Sequence, residues 1–176
     1  MEDFHDGLAR VRKGTQWGFI DKTGSYVVNL QFEAVGDFHD GLAMAKKSHQ
    51  WGYIDDKGAW KINPQFDDAG DFKEGLASVR KGKYWGFIES SGSYAINLQF
   101  EDVEGFSEGA ARVKKVNKWG FIDKSGRYLT NPQFDAADDF INGFARVRKG
   151  VKWGYVNSLG NLTINYMYDS SGSFEK

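Results

Sequence analysis

A Trp-Gly pair recurs every 34 residues along this chain, at Trp17, Trp51, Trp85, Trp119 and Trp153. Five steps of 34 span 170 of the 176 residues, so repetition organises the whole molecule. Periods of roughly 20 to 50 residues belong to arrays in which each unit packs on its neighbours and no unit owns a complete core. The units read as 4–37, 38–71, 72–105, 106–139 and 140–173, in one array without a linker.

Within the first unit three short segments stand between glycine turns. They are Leu8 to Lys13, Trp17 to Asp21 and Ser25 to Asn29, with turns around Gly7, Gly14 and Gly24. Segments of four to six residues rich in aromatic and β-branched side chains read as strands. In the opening segment Ala9 and Val11 alternate with Arg10 and Arg12, the period of a half-buried strand. Thirty-four is also the length of the helical tetratricopeptide unit, but that unit needs two amphipathic helices of a dozen residues. Recurrent Gly at positions such as Gly7, Gly18 and Gly24 would cost such helices about 1 kcal/mol each. The chain is therefore expected to be all-β.

The five copies report on one another. Ala9, Ala43, Ala77, Ala111 and Ala145 never vary, which implies that a neighbouring ring packs there. Gly7 and Gly24 and their equivalents never vary either, as positive φ would require. Asn29, Asn63, Asn97, Asn131 and Asn165 are expected to tie down the turn out of the third segment. Phe4, Phe38, Phe72, Phe106, Phe140 and Phe174 occupy one position, so a five-fold ring would hold two candidates for one site. Propeller blades moreover use about 40–50 residues. An open β-solenoid of stacked three-strand hairpin units is the expected architecture, with a five-bladed β-propeller as the alternative.

The recurring frame Phe-x-x-Gly-Leu-Ala-x-Val, then Trp-Gly-Phe/Tyr-Ile-Asp, then Gly, then Pro/Leu-Gln-Phe-Asp/Glu resembles the bacterial WG-repeat family, also called KWG repeats. Lys118-Trp119-Gly120 and Lys152-Trp153-Gly154 carry the literal KWG, while Gln16, Gln50 and Tyr84 replace its Lys in the first three units. The resemblance covers essentially the whole chain. It implies β-rich interaction modules without known catalytic residues. The fifth unit departs from the frame at Tyr166-Met167-Tyr168, Asn157 and Leu162, which fits a terminal cap or a binding position unique to one end.

Composition removes several classes of function. A net charge of −1 gives no global attraction to nucleic acid or anionic membrane. No apolar run approaches the ~20 residues of a spanning helix. The N-terminus lacks the pattern of a secretory signal, as a piece of a longer protein also would. There is no Cys, and none of His5, His39 and His49 has neighbours spaced for metal ligation. His5 and His39 read as solvated positions. No nucleophile elbow, phosphate loop or dinucleotide fingerprint occurs, so neither catalysis nor a cofactor is expected.

Charge and aromatic rows remain as candidate binding features. Arg12-Lys13, Lys46-Lys47, Arg80-Lys81, Lys114-Lys115 and Arg148-Lys149 close every first segment. Acids recur elsewhere, at Asp21, Asp55, Glu89 and Asp123 and at Glu33, Asp67, Glu101, Asp135 and Asp169. Stripes of opposite sign could simply neutralise one another and keep a β surface soluble. The basic row could instead engage an acidic protein face. The five Trp of the Trp-Gly pairs read as structural core, and Tyr26, Trp60, Tyr94 and Tyr128 as the rings with partial exposure. The resulting expectation is a monomeric, non-catalytic scaffold for protein–protein interaction. A carbohydrate or cell-envelope binder using the aromatic rows, or a spacer within a longer protein, is the alternative.

Overall fold

The computed structural model describes residues 4–170 and 172; Phe174 lies outside them. Every regular element among the described residues is a β-strand. The first sheet runs β1 (Ala9–Lys13), β2 (Gln16–Ile20), β3 (Tyr26–Phe32). The second adds a two-residue strand, in order β4 (Ala34–Val35), β5 (Ala43–Lys47), β6 (Gln50–Ile54), β7 (Trp60–Phe66). The same order recurs in β8 (Asp68–Ala69), β9 (Leu76–Lys81), β10 (Tyr84–Glu89), β11 (Tyr94–Phe100). It recurs again in β12 (Asp102–Val103), β13 (Ala110–Lys115), β14 (Lys118–Asp123), β15 (Tyr128–Phe134). The last sheet is β16 (Ala136–Ala137), β17 (Phe144–Lys149), β18 (Lys152–Asn157), β19 (Leu162–Tyr168). Five small antiparallel sheets thus match the tandem repeats, and none closes into a barrel.

The two-residue strands were not legible in the sequence. Each ends one sequence unit yet pairs with the opening strand of the next, as Ala34 opposite Lys46 and Val35 opposite Ala45. Sheets are offset from sequence units by this stitch. It supplies partners to backbone groups of an otherwise open edge. Two residues carry no detectable period, which is why pattern reading passes over them.

The Trp-Gly pair owes its invariance to a close approach of backbone. Between β2 and β3 the register slips twice, from Trp17 opposite Phe32 to Phe19 opposite Val28 to Ile20 opposite Tyr26. The surplus residues of β3 bulge directly over Gly18. A Cβ on Gly86 would lie 2.5 Å from Ile96 O, and one on Gly120 would lie 2.6 Å from Thr130 O. No side chain fits there. Asn29 and its equivalents lie inside this bulged strand, on its exposed side, and not in the turn expected for them. The sequence reading mistook an irregular stretch of strand for its end.

The chain divides into two compact units, Met1–Gly82 with Phe87–Tyr94, and Lys83–Gly86 with Ala95–Lys176. In the first, Phe19, Val28, Phe32 and Val35 share one core with Phe38 and Ile54 of the following repeat. Phe38 meets Phe19 edge-on at 4.7 Å, and Phe72 meets Tyr53 at 4.8 Å. In the second, Phe121 and Phe134 share a core with Phe140, Val147 and Val156, and Phe140 meets Phe121 at 4.8 Å. Core sharing between neighbours is the arrangement a 34-residue unit requires. Alone it would bury too little apolar surface to offset the entropy of ordering its backbone. Ala9, Ala43, Ala77, Ala111 and Ala145 are buried as expected. Gly7 and Gly24 take positive φ, +82° and +84°, as do their equivalents.

Two glycine classes therefore differ in what they tolerate. Gly120→Ala forces a side chain into backbone and should cost about 3 kcal/mol. Gly41→Ala, at φ +76° with open space around it, should cost only about 1–2 kcal/mol of conformational strain. Urea denaturation of both variants checks the ranking.

Candidate functional site

Each first hairpin ends in a two-residue tip flanked by the basic pairs. The first base of a pair sits opposite Trp across the hairpin, as with Arg12 and Trp17, Lys46 and Trp51, Lys114 and Trp119, and Arg148 and Trp153. Its charge lies over the ring at 5.5, 5.5, 5.8 and 5.6 Å respectively. Such cation–π contacts are worth about 0.5–1 kcal/mol where exposed. Arg80, the first base of the third pair, reaches Asp68 at 3.4 Å. Trp17, Trp51, Trp85, Trp119 and Trp153 are all half-buried, at the rim of the core and not inside it. Trp17 and Trp119 pack against the core below and carry a cation above.

The second base of each pair behaves differently. Lys13, Lys47, Lys81, Lys115 and Lys149 are exposed. Among the described residues none has an acid within salt-bridge distance, and Lys81 Nζ donates to Gln65 Oε1 at 3.3 Å. The acids are occupied elsewhere. Glu33 accepts from His49 N at 3.1 Å, and Asp67 from Gly82 N at 2.6 Å. Glu101 accepts from Val116 N at 2.9 Å and Asn117 N at 3.0 Å, and Asp135 from Gly150 N at 2.6 Å. Each of these carboxylates caps the hairpin tip of the next repeat. In the other acidic row Asp21, Asp55 and Asp123 close their own turns, Asp21 accepting from Thr23 N and Ser25 N, Asp55 from Lys57 N and Ala59 N, and Asp123 from Ser125 N and Arg127 N. The Ser125 hydroxyl, with those backbone N–H groups, holds the Asp123 carboxyl below its usual range. The two rows of opposite charge are not each other's counterions.

Three further groups escaped the sequence reading. Lys118, the Lys of the literal KWG, pairs with Asp135, and Lys152 with Asp169 at 2.7 Å. The ammonium of Lys118, followed by the Gly150 N–H, lowers the Asp135 pKa. The signal was present in the sequence as Lys and Asp at fixed separation in the last two repeats. Arg10, Arg112 and Arg146 form the second group, binding Asp37 at 2.8 Å, Asp139 at 2.7 Å and Asp138 at 2.6 Å. The third is a His–Asp column. His5 and His39 keep side chains partly open to solvent, their Nε2 atoms each 3.8 Å from Asp37 and Asp71 respectively. Asp71 Oδ1 is buried without a hydrogen-bond partner, and burial raises the pKa of its carboxyl. Among the described residues no cluster of three or more His, Asp or Glu is arranged to hold a metal ion.

All four rings of the aromatic row, Tyr26, Trp60, Tyr94 and Tyr128, keep partial exposure. Trp60 packs edge-on against Phe32 of the preceding repeat at 5.5 Å. Tyr128 is half-buried, while Tyr26 and Tyr94 stay exposed. Open hollows lie beside the tips, one of about 500 Å³ lined by Gln16, Phe32, Lys47 and His49, another of about 450 Å³ lined by Lys115, Val116, Lys118 and Pro132.

These features define a tandem-repeat β protein whose recurrent Trp-Gly step, basic hairpin tip and acidic cap are all part of one repeating frame. The chain belongs to the WG-containing repeat family, whose model matches residues 17–48, 51–85, 85–119, 119–153 and 153–176. No curated protein matches it. Among solved structures it is similar to a plant lectin with two metal-binding sites from Cicer arietinum, at 11 % identity and a TM-score of 0.30. The match covers 78 % of this chain and 87 % of that one, and a score so low carries no argument. No helix is long and apolar enough to cross a membrane, which says nothing of β-barrels.

Two predictions follow from the tips and the column. Val116 is a β-branched residue at φ +52°, where the equivalent tips carry Gly14, Gly82 and Gly150. Val116→Gly relieves that strain and keeps the N–H that Glu101 accepts, so it should raise stability by about 1 kcal/mol in urea denaturation. Asp71 has a folded-state pKa above its unfolded value. Its contribution is therefore greatest below the unfolded value of about 3.9 and declines as pH rises through the folded one. Asp71→Asn should melt higher than the parent at pH 7 and lose that advantage by pH 3 in thermal scans.

Proposed function

We propose that the chain is a non-catalytic scaffold that binds an acidic protein surface along its hairpin tips. The observation that carries this reading is the set of exposed tip lysines with no acid in salt-bridge distance among the described residues, most of the recurrent acids being committed to backbone N–H groups. Exposed charges of one sign that are not internally compensated attract a complementary partner and speed its encounter. The hollow beside Lys115, lined by the exposed Val116 and by Pro132, offers apolar contact beside the charge.

The glycan reading would draw on the most exposed rings of the aromatic row. With cations over four of the Trp rings and Trp60 packed on Phe32, stacking on sugar would fall to Tyr26 and Tyr94. That reading predicts that Tyr94→Ala loses glycan binding without loss of melting temperature.

The test uses an immobilised polyglutamate peptide as the acidic probe and a glycan panel beside it. The chain should bind the peptide with an affinity that falls steeply with salt. Lys13→Glu, Lys47→Glu, Lys115→Glu and Lys149→Glu combined should reduce binding at least about tenfold, a loss of about 1.4 kcal/mol, with an unchanged melting temperature. Equal peptide binding by the parent and the charge-reversed chain would remove the proposal. Selective retention on the glycan panel, abolished by Tyr94→Ala, would replace it.

A further inference from the structure

One hairpin tip, in the interior of the array, carries a side chain that its backbone disfavours. Val116 stands at φ +52° and is the one β-branched residue in the left-handed region among the described residues. A β-branched side chain is strained there, because its branches crowd the flanking backbone. The equivalent tips meet the same backbone demand with Gly14, Ser48, Gly82 and Gly150. The fourth repeat has a repeat on either side of it, so this tip owes nothing to the ends of the array.

Strain of this kind persists where another interaction offsets it. Packing within the chain does not offset it here. The Val116 side chain is 77 % exposed, more than any other large apolar side chain among the described residues. What the tip gives the fold is backbone: Val116 N and Asn117 N donate to the Glu101 carboxylate at 2.9 and 3.0 Å. Glycine makes the same bond, as Gly82 does to Asp67 and Gly150 to Asp135. The isopropyl group serves neither the turn nor its cap.

The surroundings of that group define its complement. The hollow beside it, of about 450 Å³, is lined by Lys115, Val116, Lys118 and Pro132, none of them acidic. Lys118 is paired with Asp135, whereas Lys115 is exposed with no acid in salt-bridge distance among the described residues. Pro132 is half-buried and adds a rigid apolar wall without an N–H of its own. The hollow at the first two tips is different in kind. Its lining includes Glu33 and His49, 3.4 Å apart, and its one phenyl ring, Phe32, is buried. A free cation beside an exposed aliphatic group and a proline wall complements a segment that offers a carboxylate and an apolar side chain together.

We infer that the fourth hairpin tip anchors an acidic peptide segment, with one aliphatic side chain against Val116 and Pro132 and a neighbouring carboxylate on Lys115. The site rests on the acidic-partner reading above and adds to it a position and a side-chain preference. The lysine row attracts any acidic surface, and the fourth tip selects one with an apolar residue among its acids. Contact between the carbon surfaces supplies affinity in proportion to the area removed from water, and the charge pair at its rim fixes the register. Val116 lowers the stability of the chain and raises its affinity for the partner.

Fluorescence anisotropy with two labelled peptides tests it, one polyglutamate and the other the same peptide with a single central Leu. The parent chain should bind the Leu peptide about tenfold more tightly, as burial of part of a Leu side chain supplies. Val116→Gly should melt higher than the parent and yet bring the ratio of the two affinities close to unity. Val116→Thr keeps the β-branched shape and the strained φ but replaces a methyl by a hydroxyl. It should lower the same ratio with little change in melting temperature. Lys115→Glu should weaken the binding of both peptides. Equal affinity of the parent for the two peptides overturns the anchoring site and leaves the acidic-partner reading standing. So does a Leu preference that survives both Val116 substitutions. A parent chain that binds neither peptide removes the anchoring site and that reading together.

Discussion

The crossing of the third strand's bulge over the glycine of Trp-Gly is the contact on which the repeat depends. It sets the register in which Phe19 meets Val28 after Trp17 has met Phe32, and so decides which residues of β3 face the core. A one-residue change in that register would turn the apolar set toward solvent. The glycine cannot be replaced because the obstacle is backbone, which unlike a side chain cannot rotate away. The Trp beside it is held differently. It lies on core residues and beneath a cross-strand cation, a position that suits a large amphipathic ring.

Stability spreads from that step by contact between neighbours. One repeat's Phe19, Val28 and Phe32 are completed by the next repeat's Phe38 and Ile54, and the two-residue strand ties the backbones across the same boundary. The carboxylate caps follow the same rule, each belonging to one repeat and serving the tip of the next. A unit of this kind is half a structure at each of its faces. That is why neighbours share core residues.

The electrostatics show how one count of charges can conceal two roles. Acidic and basic residues nearly balance in number, yet most of the recurrent acids accept from backbone N–H groups inside turns. Backbone N–H groups are obligatory donors, and a carboxylate satisfies them more strongly than a neutral acceptor. The lysines at the tips are left to solvent. A net charge of −1 therefore coexists with a local basic row.

The sequence alone determined the period, the β class, the two glycine turns, the invariant Ala and the family, because each is written five times and repetition separates constraint from chance. It misread Asn29 as a turn residue, since the place of that side chain depends on what lies across a strand and not along it. The two-residue strands and the acids' commitment to the following repeat's tips were also decided only by the tertiary structure. Glu101 and Val116 are 15 residues apart, and a carboxylate in a list of acids carries no mark of the N–H it will accept. Local pattern fixes what a residue can do; the fold, by bringing one repeat's end against the next repeat's beginning, decides with which partner.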